Sequence, residues 1–286
     1  DQQPARGACA LLPVQQWFFA QDIPDRHHWN QSVLLKPSQV LEPQVLEQAL
    51  QALVMHHDSL RLAFRQDAQG WTAHYPEQPS PEPLLWQAEV ADLAALDALG
   101  NQAQRSLALH GGSLLRGVLA TLGDGTQRLL LIVHHLVVDG VSWRILFDDL
   151  QRAYRQRLAG TPVQLPPRTS AVKAWAEQLQ AYAASAALQA ELGYWQEQLQ
   201  GAPLALPWDN PHGGQQHCQA LSIRSRLDQR LTRQLLQQAP AAYRTQVNDL
   251  LLTALARVMV RWTGDASVLV QLEGHGREDL FQHIDL

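Results

Sequence analysis

The chain has 286 residues, 46% of them hydrophobic and 17% charged, with a formal net charge of −5. That is enough for one large domain or two smaller ones with a sizeable core, in the composition range of an ordinary globular protein. No basic run stands out, no window approaches ~18 uncharged apolar residues and no basic segment precedes an apolar core, so no nucleic-acid footprint, membrane span or secretory leader is expected.

Along the chain, Pro13 to Ala20 reads as a short helix with proline in its first turn, and Trp29 to Lys36 as a strand ended by Pro37. Pro43 opens a helix to about Met55 with Leu46, Ala49, Leu50, Leu53 and Val54 on one face. Leu60, Leu62 and Phe64 alternate with polar residues, predicting a half-buried strand that pairs with Trp71 to Tyr75 across Asp67 to Gly70. Ala91 to Leu109 is helical by composition. Ser113 to Leu122 and Gln127 to His135 predict a hairpin around Gly123-Asp124-Gly125-Thr126, and Gly140 to about Arg157 the helix behind it.

The proline-rich Thr161 to Arg168 reads as a linker between two halves, 1–165 and 166–286. Ser170 to about Leu199 is helical, and Pro203 to Gln216 is a loop. Leu221 to Leu227 is an alternating strand, followed by a helix capped by Asp228. Val247 to Trp262 carries a strong helical apolar stripe, and Ser267 to Leu272 reads as a buried strand ending on Glu273. Strands interleave with helices throughout, a mixed α/β arrangement with no internal repeat.

The most informative stretch runs from His134-His135 through Asp139-Gly140 to Ser142-Trp143. The apolar run Leu129 to Val133 delivers two imidazoles at a strand end, where a proton-handling group is readily placed. Metal ligation is one chemistry these residue types allow. Adjacent strand residues point to opposite faces, however, and no Cys-x-x-Cys or His-Glu-x-x-His completes a site, so no metal is expected. A Ser142–His135–Asp139 relay would draw all three members from one turn, without a Gly-x-Ser-x-Gly sequence. A lone histidine acting as general acid or base and a satisfied core histidine are the remaining options. Cys9 and Cys218 form no metal or redox pattern, so free thiols in a reducing cytoplasm are expected.

His-His-x-x-x-Asp-Gly followed by Val141-Ser142-Trp143 and Ile145-Leu146 resembles a core motif of epimerization domains of nonribosomal peptide synthetases. Four further segments resemble that family in its order. They are Leu12-Pro13-Val14-Gln15-Gln16-Trp17-Phe18, His28-Trp29-Asn30-Gln31-Ser32, Asn248-Asp249-Leu250-Leu251-Leu252-Thr253-Ala254, and Glu273-Gly274-His275-Gly276-Arg277-Glu278. The last discriminates most, because condensation domains share the His-His motif but usually lack it. The resemblance implies the condensation-domain superfamily and two chloramphenicol acetyltransferase-like subdomains forming a V with a tunnel at their interface. It also implies that the second subdomain is incomplete in this chain, since family members carry later motifs, and that the natural context is a multidomain synthetase.

The reaction implied is inversion of the α-carbon of an aminoacyl or peptidyl thioester. That substrate hangs on the phosphopantetheine arm of a carrier protein, the expected partner together with neighbouring synthetase modules. No nucleic-acid or membrane partner and no cofactor of the domain's own are implied. By resemblance His135 and Glu273 are the catalytic pair. Asp139 is structural and pairs with an arginine, for which Arg277 is the candidate. His134, Gly140 and Ser142 support the loop, Gly140 by letting the chain turn tightly and Ser142 by capping the following helix, and Trp143 is core. Asn30 and Gln31 are either strand-edge polar residues or substrate contacts.

Overall fold

Alternation over Gln127–His134 builds the centre of the structure, because both faces of that strand find helices to cover them. The computed structural model describes residues 2–78, 80–111, 113–201, 205–214 and 216–286. They fall into two compact units, Asp1–Ala186 with Gly274–Leu286, and Ala187–Glu273.

The first unit contains β1 (Gly7–Cys9), α1 (Pro13–Ala20), β2 (Asn30–Leu35), α2 (Pro43–His56), β3 (Ala63–Asp67), β4 (Gly70–Tyr75) and β5 (Leu85–Val90). It continues with α3 (Leu93–Gln104), β6 (Leu115–Leu122), β7 (Gln127–His134), α4 (Ser142–Leu158) and α5 (Val172–Ala183). One sheet has the order β1-β4-β3 and the larger one β2-β7-β6-β5. Only β5–β6 is parallel among these pairs, and α3 supplies the crossover that a parallel pair needs.

On one face of the larger sheet, Leu115, Leu119, Leu129, Leu131 and Val133 join Leu46 and Leu50 of α2 and Leu146 and Leu150 of α4. On the other, Val118 and Ile132 meet Ala103 and Leu107. Each such leucine or valine contributes roughly 1.5–3 kcal/mol by leaving water. Gly117 lets α2 approach closely, since a Cβ there would sit 3.0 Å from Leu50 Cδ1.

The second unit holds α6 (Ala186–Gln189, beginning at the last residue of the first unit), α7 (Leu192–Leu199), α8 (Gln229–Arg233), α9 (Ala239–Tyr243) and α10 (Val247–Thr263). Asp228 caps α8, its carboxylate accepting from the Leu231 N–H at 2.7 Å. None of its described residues is buried. Among the described residues no helix is long and apolar enough to cross a membrane.

Several elements differ from the sequence-based expectations. Leu60 and Leu62 are buried, but Asp58–Arg61 is a 3-10 turn and the strand starts at Ala63. The helix expected over Ala91 to Leu109 is confined to α3, which Asp92 starts by accepting from the Ala95 N–H at 2.9 Å. The helix expected over Ser170 to Leu199 is broken into three. Leu221 to Leu227 and Ser267 to Leu272 are not strands. Apolar alternation supplies the faces, but a strand exists only through ladder bonds, and no described segment pairs with either stretch. Leu221 and Ile223 are 95% and 98% exposed. The loop expected over Pro203 to Gln216 lies partly outside the described residues, and its described part has no helix or strand. Thr161 to Arg168 is irregular, with Val163 and Leu165 packed on the first unit's core.

Candidate active site

The two histidines at the end of β7 meet opposite environments. His134 is fully buried; its Nε2 lies 2.8 Å from the Arg26 carbonyl, and its Nδ1 accepts from the Leu136 N–H at 3.1 Å. A carbonyl oxygen only accepts, so Nε2 carries the hydrogen and both ring nitrogens are satisfied. Burial pushes this ring down to about 4, against the opposing pull of its bond to Arg26. His134 is thus a neutral core histidine that pins the Arg26 loop between α1 and β2.

His135 lies beyond the ladder and is only partly buried. Its backbone N–H is held by the Trp29 carbonyl at 2.8 Å, and its Nδ1 sits 2.9 Å from the Val138 carbonyl. Here Nδ1 carries the hydrogen, the tautomer opposite to that of His134. The remaining nitrogen, Nε2, lies 3.2 Å from Nε2 of Gln31, whose Oε1 is 2.8 Å from the indole Nε1 of Trp143. Indole N–H only donates, which fixes the amide orientation independently of how oxygen and nitrogen are assigned. Gln31 therefore turns its NH2 to His135, and the single lone pair of His135 Nε2 accepts from it. Reversing the amide would set donor against donor, at about 1–3 kcal/mol for each group left unsatisfied.

The strand pleat explains why Gln31 is there. It shares a face of β2 with Val33 and Leu35, which pack on the core beneath α4, and so it reaches Trp143 of α4. Asn30 faces the other way, its Nδ2 donating to the Gln104 carbonyl and side chain at 2.8 and 3.0 Å. A polar side chain on an otherwise apolar strand face was the available sign that Gln31 serves the interior. Trp143 is 9% exposed and stacks on Phe147 with ring centroids 5.3 Å apart.

After the histidines, Asp139 organises the loop. Its Oδ1 accepts from the Ser142 N–H at 2.8 Å and the Ser142 hydroxyl at 2.6 Å. Ser142 does not cap α4; it is the helix's first residue, and the Asp139 carboxylate receives its N–H, where negative charge suits a helix N-terminus. Arg277 closes the assembly, with Nη1 to Asp139 Oδ2, Nη2 to Oδ1 at 3.1 Å and Nη2 to the Ser142 hydroxyl at 3.3 Å. Burial alone would raise the Asp139 carboxyl, but the bonds from Arg277 and Ser142 outweigh it and hold the group at about 2. Gly140 lies in a turn, as expected, but the turn does not demand glycine: the residue has no left-handed φ, and a Cβ would meet nothing within 4 Å. The glycine whose backbone requires it is Gly276, at φ +70°. Glu273 is exposed and ends the second unit.

Sequence inspection missed a second cluster in the first unit. His56, His57 and Asp149 bring ligand-type atoms within 4.8 Å of one another. His57 Nε2 bonds Asp149 Oδ2 at 2.9 Å, tying the end of α2 to α4, and burial pushes the His57 ring down. Arg168, which bridges to Asp58 at 2.9 Å, adds positive charge beside them and opposes a cation. A cavity of about 330 Å³ adjoins this cluster, lined also by Ser142, Arg168 and Arg277.

With this geometry in place, comparison with known proteins identifies the family: the condensation-domain profile matches residues 5–285. The chain belongs to the condensation-domain family. This condensation-family chain is 46% identical along its whole length to part of a linear gramicidin synthase polypeptide of Brevibacillus parabrevis, spanning 4% of it. It is 38% identical to part of a plipastatin synthase polypeptide of Bacillus subtilis, spanning 8% of that one. Its structure superposes on the epimerization domain from the third module of tyrocidine synthetase B with a TM-score of 0.90 at 36% identity. That match covers all of this chain and 66% of the other. The first condensation domain of the CDA synthetase shares the fold, with a TM-score of 0.66 over 90% of this chain and 62% of the other, at 22% identity.

Proposed function

We propose that this condensation-family chain is an epimerization domain, acting on an L-aminoacyl or peptidyl thioester carried on the phosphopantetheine arm of a carrier protein within a peptide synthetase. The observation that carries the reading is the Arg277–Asp139 pair. It ties the segment that follows Glu273 in the Glu-Gly-His-Gly-Arg-Glu motif to the loop that follows His135. The likeness to the tyrocidine synthetase epimerization domain supports it.

The chemistry follows from the thioester. Breaking the Cα–H bond sends its electron pair into the carbonyl as an enolate, so no coenzyme of the domain's own is needed. One group takes the proton, a second returns one on the opposite face, and exchange with solvent resets both. His135, whose Nε2 carries no hydrogen, has the form of a proton acceptor once substrate takes the place of the Gln31 donor. Glu273 is the second group on the strength of its motif. A donor role for His135 toward the enolate oxygen would need the hydrogen on Nε2 instead.

Condensation is the second reading, favoured by the family profile itself; it would use His135 and give Glu273 no part. A carrier protein loaded with an L-aminoacyl thioester and incubated with the chain in deuterated water separates the outcomes. Deuterium at Cα with mixed D and L product supports epimerization. Amide formation without exchange supports condensation, and carrier binding with neither supports a docking module. Glu273→Gln is expected to abolish exchange while leaving carrier affinity nearly unchanged; equal loss of both would refute its chemical role.

A further inference from the structure

We propose that Gln31 is a positioning residue that, clamped by the Trp143 indole, donates to Nε2 of His135 and so keeps that nitrogen free of hydrogen, in concert with the Val138 carbonyl at Nδ1. The assignment rests on a chain of groups whose donor and acceptor characters leave one consistent solution. The Trp143 Nε1–H can only donate, so Gln31 Oε1 must face it, at 2.8 Å. The Gln31 amide nitrogen can only donate, so His135 Nε2, at 3.2 Å, must accept. The Val138 carbonyl can only accept, so His135 Nδ1, at 2.9 Å, must donate. Two independent constraints, one on each ring nitrogen, agree on the same neutral ring. The clamp is anchored from both sides, by the register of β2 against β7 and by Trp143 in the first turn of a buried helix face.

This device suits a base. A histidine with hydrogen on Nδ1 presents its lone pair at the far end of the ring, and a bond to the other nitrogen both orients the ring and strengthens that lone pair. Its importance to turnover rests on the epimerization reading above; the tautomer itself does not. Gln31→Glu would place a carboxylate opposite Nε2. A carboxylate only accepts, so Nε2 would gain a hydrogen while the Val138 carbonyl keeps the one on Nδ1. Gln31→Leu would remove the donor to Nε2, and Trp143→Phe would free the amide to rotate; in both, the Val138 carbonyl alone would keep the hydrogen on Nδ1, and the Nε2 lone pair would lose its Gln31 partner.

The test is nitrogen-15 NMR of the histidine rings in the full chain, with His134 as an internal reference because its hydrogen sits on Nε2. The expected result is hydrogen on Nδ1 alone of His135 in the native chain, on both ring nitrogens in Gln31→Glu, and on Nδ1 with a shifted Nε2 signal in Gln31→Leu and Trp143→Phe. His134 should be unchanged throughout, which shows that each variant has folded. Native His135 with hydrogen on Nε2, or a Gln31→Glu spectrum like the native one, overturns the proposal. Loss of the His134 pattern in Gln31→Glu shifts the decision to Gln31→Leu and Trp143→Phe, where an Nε2 signal unchanged from the native one in both overturns it. In the deuterium assay, Gln31→Leu should lower kcat for Cα exchange by about 10- to 100-fold with little change in KM. The expected tautomers without exchange in the native chain would sink the epimerization reading alone. Native exchange with no change at the His135 ring nitrogens in any of the three variants would sink the positioning role alone.

Discussion

The two units hold apolar residues in quite different ways. In the first, α2 and α4 lie on a four-stranded sheet, and leucines such as Leu46, Leu50 and Leu53 are at most 2% exposed. In the second, α10 carries an equally regular stripe, yet Leu251, Leu255, Val258 and Trp262 are 41–61% exposed. The lesson is that a helical stripe measures readiness to be buried, whereas stability comes only from the surface it meets. The His135 loop is built on the unit whose stripes are covered, as a site needing rotamers locked by packing would be.

The sharpest way to break this contrast is a pair of truncations. Leu50→Ala should cost about 2–5 kcal/mol, because it leaves a cavity under the sheet. Leu255→Ala, already 41% exposed, should cost about 1 kcal/mol or less. Denaturant unfolding measures both, and similar losses would mean that the contrast is not energetic. Acid comes next. His134 is held at about 4 when folded, so the unfolded chain takes up its proton first as pH falls. Stability from this group is complete above about pH 6.5 and declines toward pH 4 by about 3 kcal/mol. Amide hydrogen exchange should then show β7 opening in that window, and His134→Gln should flatten the dependence; unchanged acid sensitivity in that variant would contradict it.

Asp139→Ala follows, at about 1–3 kcal/mol, because the pair it breaks is partly open to solvent rather than sealed. Adding Arg277→Ala should cost less than the two changes taken separately, and strict additivity in a double-mutant cycle would argue against their coupling. The native pair, with Asp139 at about 2, should stay charged through the window in which His134 protonates, its contribution fading only as pH falls from about 4 toward 2. Gly140→Ala should be the mildest change, within about 0.5 kcal/mol, since neither backbone nor space demands glycine there. A large loss, measured by thermal unfolding, would mean that the turn at Gly140 requires glycine after all.

Much of the first unit was legible from periodicity. The Leu129 to Val133 run, the hairpin around Gly125 and the stripes of α2 and α4 all carry local signals long enough to read. The Asp139–Arg277 pairing came from family resemblance, because residues 138 apart leave no periodic trace. The link from Trp143 through Gln31 to His135 was invisible for the same reason: it depends on the register of β2 against β7, and register is a property of the sheet. β5, where Trp86, Ala88 and Val90 alternate with Gln87 and Glu89, carries a readable alternation, while the three-residue β1 carries none. At Leu221 to Leu227 and Ser267 to Leu272 the local pattern was real, but a strand's partner cannot be seen from its own residues.

The guanidinium that secures the histidine loop is supplied from 138 residues downstream. Ribosomes add roughly 5–20 residues per second, so for about ten seconds a nascent chain can carry β7 and α4 without that fastening. The loop's final latch is thereby a signal that translation has passed Arg277.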